Sequence, residues 1–283
     1  MRSRRPSVSS VFNLFSHGEH GDIPVAGTAS LRKELSANSG GVVMGRMGFG
    51  YGSEYHLLRY LGYHRRELNL AIEKQTGGRM LDWLDFSFDA RGKFPHLDAE
   101  WKGLEFLAGF DAVKSAWTKF WPQTGNVPNW DAVGHLQLDS HTEFVLVEAK
   151  AHASELRSDC GAREEGGRKM IRQAFATTIE ANAFTSSPEK WLKKYYQCAN
   201  RLATLHFLMQ HNVPSRLVFI YFTGEKWPAG TEQKREPVVC PKNESEWGTS
   251  LQEMYDHLGL TKSGVLEERV HRVFLPVCSQ AGE

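Results

Sequence analysis

Cysteine is scarce in this chain and scattered. Cys160, Cys198, Cys240 and Cys278 are the only four, with no Cys-x-x-Cys pair and no Cys/His grouping at zinc-finger spacing. A disulfide scaffold and a thiolate zinc module are therefore excluded, and reduced, mostly buried thiols of an intracellular protein are expected. Long apolar runs are missing as well, since none approaches the ~18 residues of a membrane helix. The basic opening MRSRRPSVSS is followed by Asn, Ser, His and Glu before a signal-peptide apolar region can form. The expectation is a cytoplasmic protein without a membrane partner. Neither charge is in excess, with 34 Lys and Arg against 33 Asp and Glu, so any nucleic-acid contact must come from a local patch. No His-Glu-x-x-His occurs among the twelve histidines. The Gly-rich stretch GRMGFGYGSEYH lacks the Lys-Ser/Thr ending of a P-loop and follows no clear strand, so it reads as a loop near an active site rather than a nucleotide cradle.

The chain has an apolar fraction of 41% over 283 residues, enough for a substantial core. Residues 1–40, rich in Ser, Gly and Arg, read as a loosely ordered arm, and 41–283 as a single domain. Its first part, 41–125, reads as helical. GSEYHLLRYLGYHRRELNLAIEKQTGG predicts one helix or two broken at Gly62, with Ser53 as N-cap. DAEWKGLEFLAGFDAVKSAWTKFWP predicts one or two more, ending at Pro122. The core, 126–225, opens with two strand-like runs around DSHT, a hairpin pattern. SELRSDCGAREEGGRKM reads as a loop. A long helix opens at Ser187-Pro188 and carries Trp191, Tyr195, Cys198, Leu202, Leu205 and Met209 on one stripe. SRLVFIYFTGE reads as a buried strand. The C-terminal elaboration, 226–283, adds the helix TSLQEMYDHLGL and the strand RVFLPV. The predicted fold class is α/β, a mixed central sheet flanked by helices.

The stretch EFVLVEAKAH ends an apolar strand with Glu148 and Lys150, one small residue apart. Strand alternation puts Phe144, Leu146, Glu148 and Lys150 on one face. Opposed residues of an antiparallel hairpin sum to a constant. A two-residue turn at Asp139 and Ser140 gives 279 and opposes Asp131 to Glu148, whereas a four-residue turn gives 281 and opposes it to Lys150. Either register gathers Asp131, Glu148 and Lys150 at the open end of the hairpin; a three-residue turn sends Asp131 to the other face. Two carboxylates this close call for a cation between them, which Lys150 supplies in part and a hard divalent metal would supply more fully. Glu-x-Lys occurs three times, but only Glu148-Ala149-Lys150 closes an apolar strand with an Asp at hairpin distance.

PNWDAVG, with Pro128 and Asp131, followed by VEAK, a helix and another strand, resembles the PD-(D/E)xK nuclease superfamily from Pro128 to Thr223. Pro128 stands three residues before the Asp rather than beside it. The resemblance implies a restriction endonuclease-like core with an N-terminal helical extension. It further implies Mg2+ or Mn2+ held by Asp131, Glu148 and the Ala149 carbonyl, with Lys150 positioning water and balancing charge on a phosphate. Members often add an acidic residue on a preceding helix, for which Glu54 is the candidate, with Glu67, Glu73 and Glu105 as rivals. Gln197, on a polar flank with Lys190, Arg201 and Thr204, is a further candidate. The implied activity is hydrolysis of phosphodiesters in DNA, ahead of RNA, with a homodimer left open. Arg157, Arg163, Arg168, Lys169, Arg172, Lys190, Lys193 and Lys194 are candidate phosphate contacts, and a solvated surface explains each equally well. Trp121 and Trp130 read as packing residues or base stackers, and His135 and His152 as strand-end histidines. Two rivals remain: the same fold used for binding or structure, with the three charges as an ion-pair cluster, and an unrelated α/β enzyme built on the Gly-rich loop.

Overall fold

A computed structural model describes residues 51–84, 100–125, 127–225, 240–260 and 266–277. The expected arm over 1–40, residues 45–50 of the Gly-rich stretch and Cys278 lie outside the described residues. Two helices, α1 (Ser53–Tyr63) and α2 (Arg65–Thr76), lead into β1 (Arg79–Trp83). A short pair, β2 (Trp101–Lys102) and β3 (Asn129–Trp130), brackets α3 (Asp111–Phe120). Then come β4 (Ala132–Gln137), β5 (Thr142–Lys150), α4 (Lys169–Ala181), α5 (Pro188–Trp191), α6 (Tyr196–Gln210), β6 (Ser215–Thr223), α7 (Glu244–Leu258) and β7 (Val270–Pro276).

The main sheet runs β1-β4-β5-β6-β7, antiparallel as far as β5 and parallel beyond it. A parallel step needs a long crossover, and α4 to α6 provide it between β5 and β6. The alternation along β5 feeds two cores, as a strand covered on both faces requires. Val145, Val147 and Ala149 join α1 and α2 on one side. Leu146 meets α3 to α7 on the other. The mixed sheet flanked by helices is thus as expected, although the part read as helical also contributes β1 to the main sheet.

Several boundaries differ from the sequence reading. The α1 N-cap is Gly52 rather than Ser53, and the break between the first helices falls at His64 rather than Gly62. Of the described residues from Glu100 to Pro122 only α3 is α-helical, because Gly103 and Gly109 take left-handed conformations that end a right-handed helix. The loop after β5 runs into α4, whose Ile171, Ala174, Phe175, Thr178 and Ile179 form an unanticipated buried stripe. The long helix is cut in two at Lys194, which is left-handed. Ser187 does cap its first piece. The last helix begins earlier than read, capped by Asn243.

At the turn end of the sheet, buried Glu143 collects Arg216 at 2.5 Å, Arg269 and His141. Burial opposes its charge, but these three donors outweigh burial and hold its pKa below the ordinary carboxylate value. Arg216 also donates to His271 at 3.0 Å. Burial, reinforced by Arg216, holds the His271 imidazole down to about 4. An unfolded histidine titrates near ~6.5, so the unfolded chain binds more protons between those values and stability falls as pH drops through that window. Thermal melts at pH 7 and pH 5 should show His271→Asn losing less stability on acidification than wild type. Equal losses would contradict the burial argument.

Candidate functional site

Ala132 pairs with Val147 and Gln137 with Thr142, so the hairpin sum is 279 and the turn is the two-residue one. Leu138 closes it by donating to His141 at 2.9 Å. Asp131 lies in a bend between β3 and β4. Its amide donates to the Val147 carbonyl at 3.0 Å, and its Oδ2 accepts the Ala149 amide at 2.7 Å. Asp131, Glu148 and Lys150 therefore stand together at the open end of the hairpin. Ala149 N–H and C=O point to the same neighbour in an antiparallel ladder, so the Ala149 carbonyl is on the Asp131 side as well.

Glu148 is 1% exposed. Lys150 donates to its Oε1. Its Oε2 accepts Arg201 Nε at 2.8 Å, and Arg201 Nη2 lies 2.7 Å from the same oxygen. The sequence places Arg201 and Thr204 on a polar flank of the helix, but both are buried, Arg201 at 3% exposure. Its guanidinium lies 5.1 Å from the Trp130 ring centre and donates to Asn200 Oδ1 at 2.6 Å. Trp130 is itself fixed by donating to the Gly103 carbonyl at 2.9 Å. Trp130 and Trp121 are thus packing residues, both fully buried.

The segment following β5 grips the start of α6 and so sets Arg201 over the strand. Ser158 Oγ accepts the Gln197 amide at 2.8 Å, its carbonyl accepts the Tyr196 amide at 3.1 Å, and Asp159 accepts the Lys194 amide at 2.7 Å. These contacts account for the break at Lys194. Gln197 is partly exposed one turn before Arg201, on the same helix side by its i, i+4 spacing.

On the other side, Glu225 holds the first turn of α1. Its Oε2 accepts the Gly52 amide at 2.8 Å and lies 2.6 Å from His56 Nε2. Glu54, in that turn, is exposed but electrostatically coupled to the cluster: partial burial first, then the charges of Glu100 and Glu155, raise its pKa, while Lys150 lowers it. Of its rivals, Glu73 is committed to the Met80 amide at 2.8 Å, and Glu67 and Glu105 are exposed as well. Glu155, which pairs with His152 at 2.6 Å, and Glu100 complete an acidic rim. His135 pairs instead with Asp82 at 2.6 Å. Arg201, Glu100 and Glu155 escaped the sequence reading. A fully buried Glu148 with a single cation was the signal that could have prompted a search for a second one.

The electrostatics follow from this packing. Burial disfavours Glu148's charge, yet Arg201 and then Lys150 outweigh it and keep the carboxylate below its ordinary pKa. Lys150 is likewise opposed by burial but raised by Glu148, Asp131 and Glu155. Asp131 is pushed well above the ordinary value by its packed surroundings and by Glu148, although part of its surface remains exposed. Five carboxylates (Glu54, Glu100, Asp131, Glu148 and Glu155) thus interact around Lys150 and Arg201.

Among the described residues, no group of three or more His, Cys, Asp or Glu side chains is placed to hold a metal ion. Mg2+ does not require one, since it keeps several waters and uses one or two carboxylates. A carboxylate has about four acceptor sites. Glu148 accepts Lys150 on Oε1 and Arg201 Nε on Oε2, where Arg201 Nη2 also lies 2.7 Å away, while Asp131 accepts only the Ala149 amide among the described residues. The spare capacity therefore lies on Asp131 and on Glu148 Oε1, beside the Ala149 carbonyl. This open, negative, oxygen-rich set fits a small hard cation.

Of the proposed phosphate contacts, Arg168 pairs with Glu164, Arg172 with Glu164 and Glu189, and Arg157 and Lys194 with Glu253. Arg163, Lys169, Lys190 and Lys193 are exposed and make no ion pair among the described residues. No helix among the described residues is long and apolar enough to cross a membrane. No family model, curated protein or solved structure matches the chain.

The two carboxylates should respond oppositely to neutralisation. Asp131→Asn removes a charge disfavoured by burial and by Glu148, and since its folded pKa is raised, the gain is present at pH 7 and vanishes in acid. Glu148→Gln leaves Lys150 and Arg201 buried without their anion and should cost about 3–5 kcal/mol. Melting curves at pH 7 should therefore rise for the first variant and fall for the second; the reverse order would contradict this electrostatic assignment.

Proposed function

We propose that the chain is a metal-dependent nuclease of the PD-(D/E)xK kind, hydrolysing phosphodiester bonds in DNA. The observation that carries the reading is the end of the hairpin, where β4 pairs Ala132 with Val147 and Asp131, in the bend before it, accepts the Ala149 amide at 2.7 Å beside Glu148 and Lys150. The strand order, with an antiparallel β1-β4-β5 followed by parallel β6, and Glu54 on the preceding helix support it further. Asp131, Glu148 Oε1 and the Ala149 carbonyl would hold Mg2+ or Mn2+. Such an ion supplies a nucleophilic water near neutral pH and a positive charge beside the phosphate.

Lys150, kept protonated by Glu148, donates to the attacking water or to a non-bridging phosphate oxygen, where it offsets developing charge. Asp131, whose own ionisation is disfavoured, gains most from a bound cation, because a positive charge beside it reverses the repulsion from Glu148. Glu54 extends the acidic side of the cleft toward the same oxygens. Arg163, Lys169, Lys190 and Lys193 offer phosphate contacts on the flanking DNA. A cytoplasmic setting suits this activity, and a homodimer would provide the second cut of a duplex.

A second reading is favoured by one observation: Glu148 already has two cationic partners, so Asp131, Glu148, Lys150 and Arg201 balance in charge without a metal. On that reading the fold binds nucleic acid or serves a structural role without cutting. Plasmid and single-stranded DNA incubated with the protein and Mg2+ or Mn2+ decide between them. The nuclease reading expects metal-dependent cleavage that falls at least about 100-fold in Lys150→Ala, the scale of one preorganised electrostatic group, and is abolished in Asp131→Ala. Cleavage that survives both substitutions would overturn the site, and DNA binding without cleavage would favour the second reading.

A further inference from the structure

Arg201 occupies an unusual position for a charged residue on a crossover helix. It is almost wholly buried, stacked on Trp130 and braced by Asn200, and it donates Nε to Glu148 Oε2 at 2.8 Å with Nη2 2.7 Å from the same oxygen. The oxygen it takes is Oε2, whereas Lys150 takes a single acceptor site on Oε1. An oxygen with two guanidinium nitrogens within 2.8 Å is covered on its cleft side, and the charge it faces repels a second cation. Glu148 can therefore present only Oε1 to the cleft.

We propose that Arg201 is a specificity-determining residue that restricts Glu148 to one-oxygen ligation and so selects Mg2+-sized ions over Ca2+. The proposal rests on the metal-dependent reading given above. Mg2+ and Mn2+ suit a compact octahedral shell of single oxygens, whereas Ca2+ takes six to eight ligands and readily chelates a carboxylate through both oxygens. A Glu148 free at both oxygens would offer Ca2+ that chelate; with Arg201 in place it does not. Arg201 acts here through Glu148 and touches neither ion nor substrate. Asn200 and Trp130 hold the guanidinium so that it does not swing aside when an ion arrives.

The test is calorimetric titration of the full chain with Mn2+ and, separately, Ca2+, for wild type, Arg201→Met and Arg201→Lys, with folding checked by circular dichroism. Wild type should bind Mn2+ at least tenfold more tightly than Ca2+. Arg201→Met should reduce that ratio at least tenfold by gaining Ca2+ affinity. Arg201→Lys keeps the buried charge and hence the fold, and should move the ratio the same way by less, because a compact ammonium covers less of Oε2 than the guanidinium does. The ratio compares two ions on one variant, so a general loosening of the structure does not move it selectively. An unchanged ratio in a folded Met or Lys variant would overturn the proposal while leaving the nuclease reading intact. A wild type that binds neither ion would overturn both.

Discussion

The open end of the sheet depends on Glu148 remaining ionised where almost no water reaches it. A lone carboxylate there would take up a proton, because burial favours the neutral acid. Arg201 from α6 and Lys150 from its own strand reverse that preference, one on each oxygen. The cost of desolvating three charges is offset by their mutual attraction only if each is held in place. Trp130 and Asn200 provide that support for Arg201. The grip of Ser158 and Asp159 on the start of α6 fixes the helix that carries it. Much of the crossover between β5 and β6 is in this sense scaffolding for one carboxylate.

Asp131 is the strained partner in this arrangement. It sits near a charge of its own sign, with the Ala149 amide as its direct donor among the described residues. A protein selected for stability alone would gain by neutralising it, and sites where stability is given up are where function concentrates. The acidic rim of Glu54, Glu100 and Glu155 adds to the same imbalance. Together they form a place that holds more negative charge than its two buried cations answer.

The sequence exposed the strand, its two faces and the three inner charges, because period-two alternation is a local property and the apolar run from Phe144 to Val147 is unambiguous. It left two hairpin registers standing, since DSHT accommodates either turn; the sheet adopts the two-residue turn, and the register then slips at Asp131, whose amide donates to the carbonyl of Val147, the strand partner of Ala132. Glu54 could be picked out as an acidic residue on an early helix, but its approach to Lys150 depends on Glu225 anchoring that helix across a separation of 173 residues. Arg201 was not legible. On a helix whose apolar stripe was evident, a polar flank reads as solvated, yet α6 is buried on nearly every side from Tyr196 to Leu208. The helix break at Lys194 was hidden for a similar reason, because its cause is a set of hydrogen bonds from Ser158 and Asp159. α4 could have been read from its own periodicity, which the preceding Gly pair and charged loop obscured.

The most direct test of the central claim is to soak crystals of the protein in manganese and measure them at the metal's absorption edge. The account predicts one anomalous peak about 2.1 Å from an Asp131 oxygen and from Glu148 Oε1, the spacing of a small hard cation, with Arg201 still on Oε2. Absence of a peak there, with Lys150 and Arg201 both remaining on Glu148, would contradict it and leave the four charges as a closed ion-pair cluster.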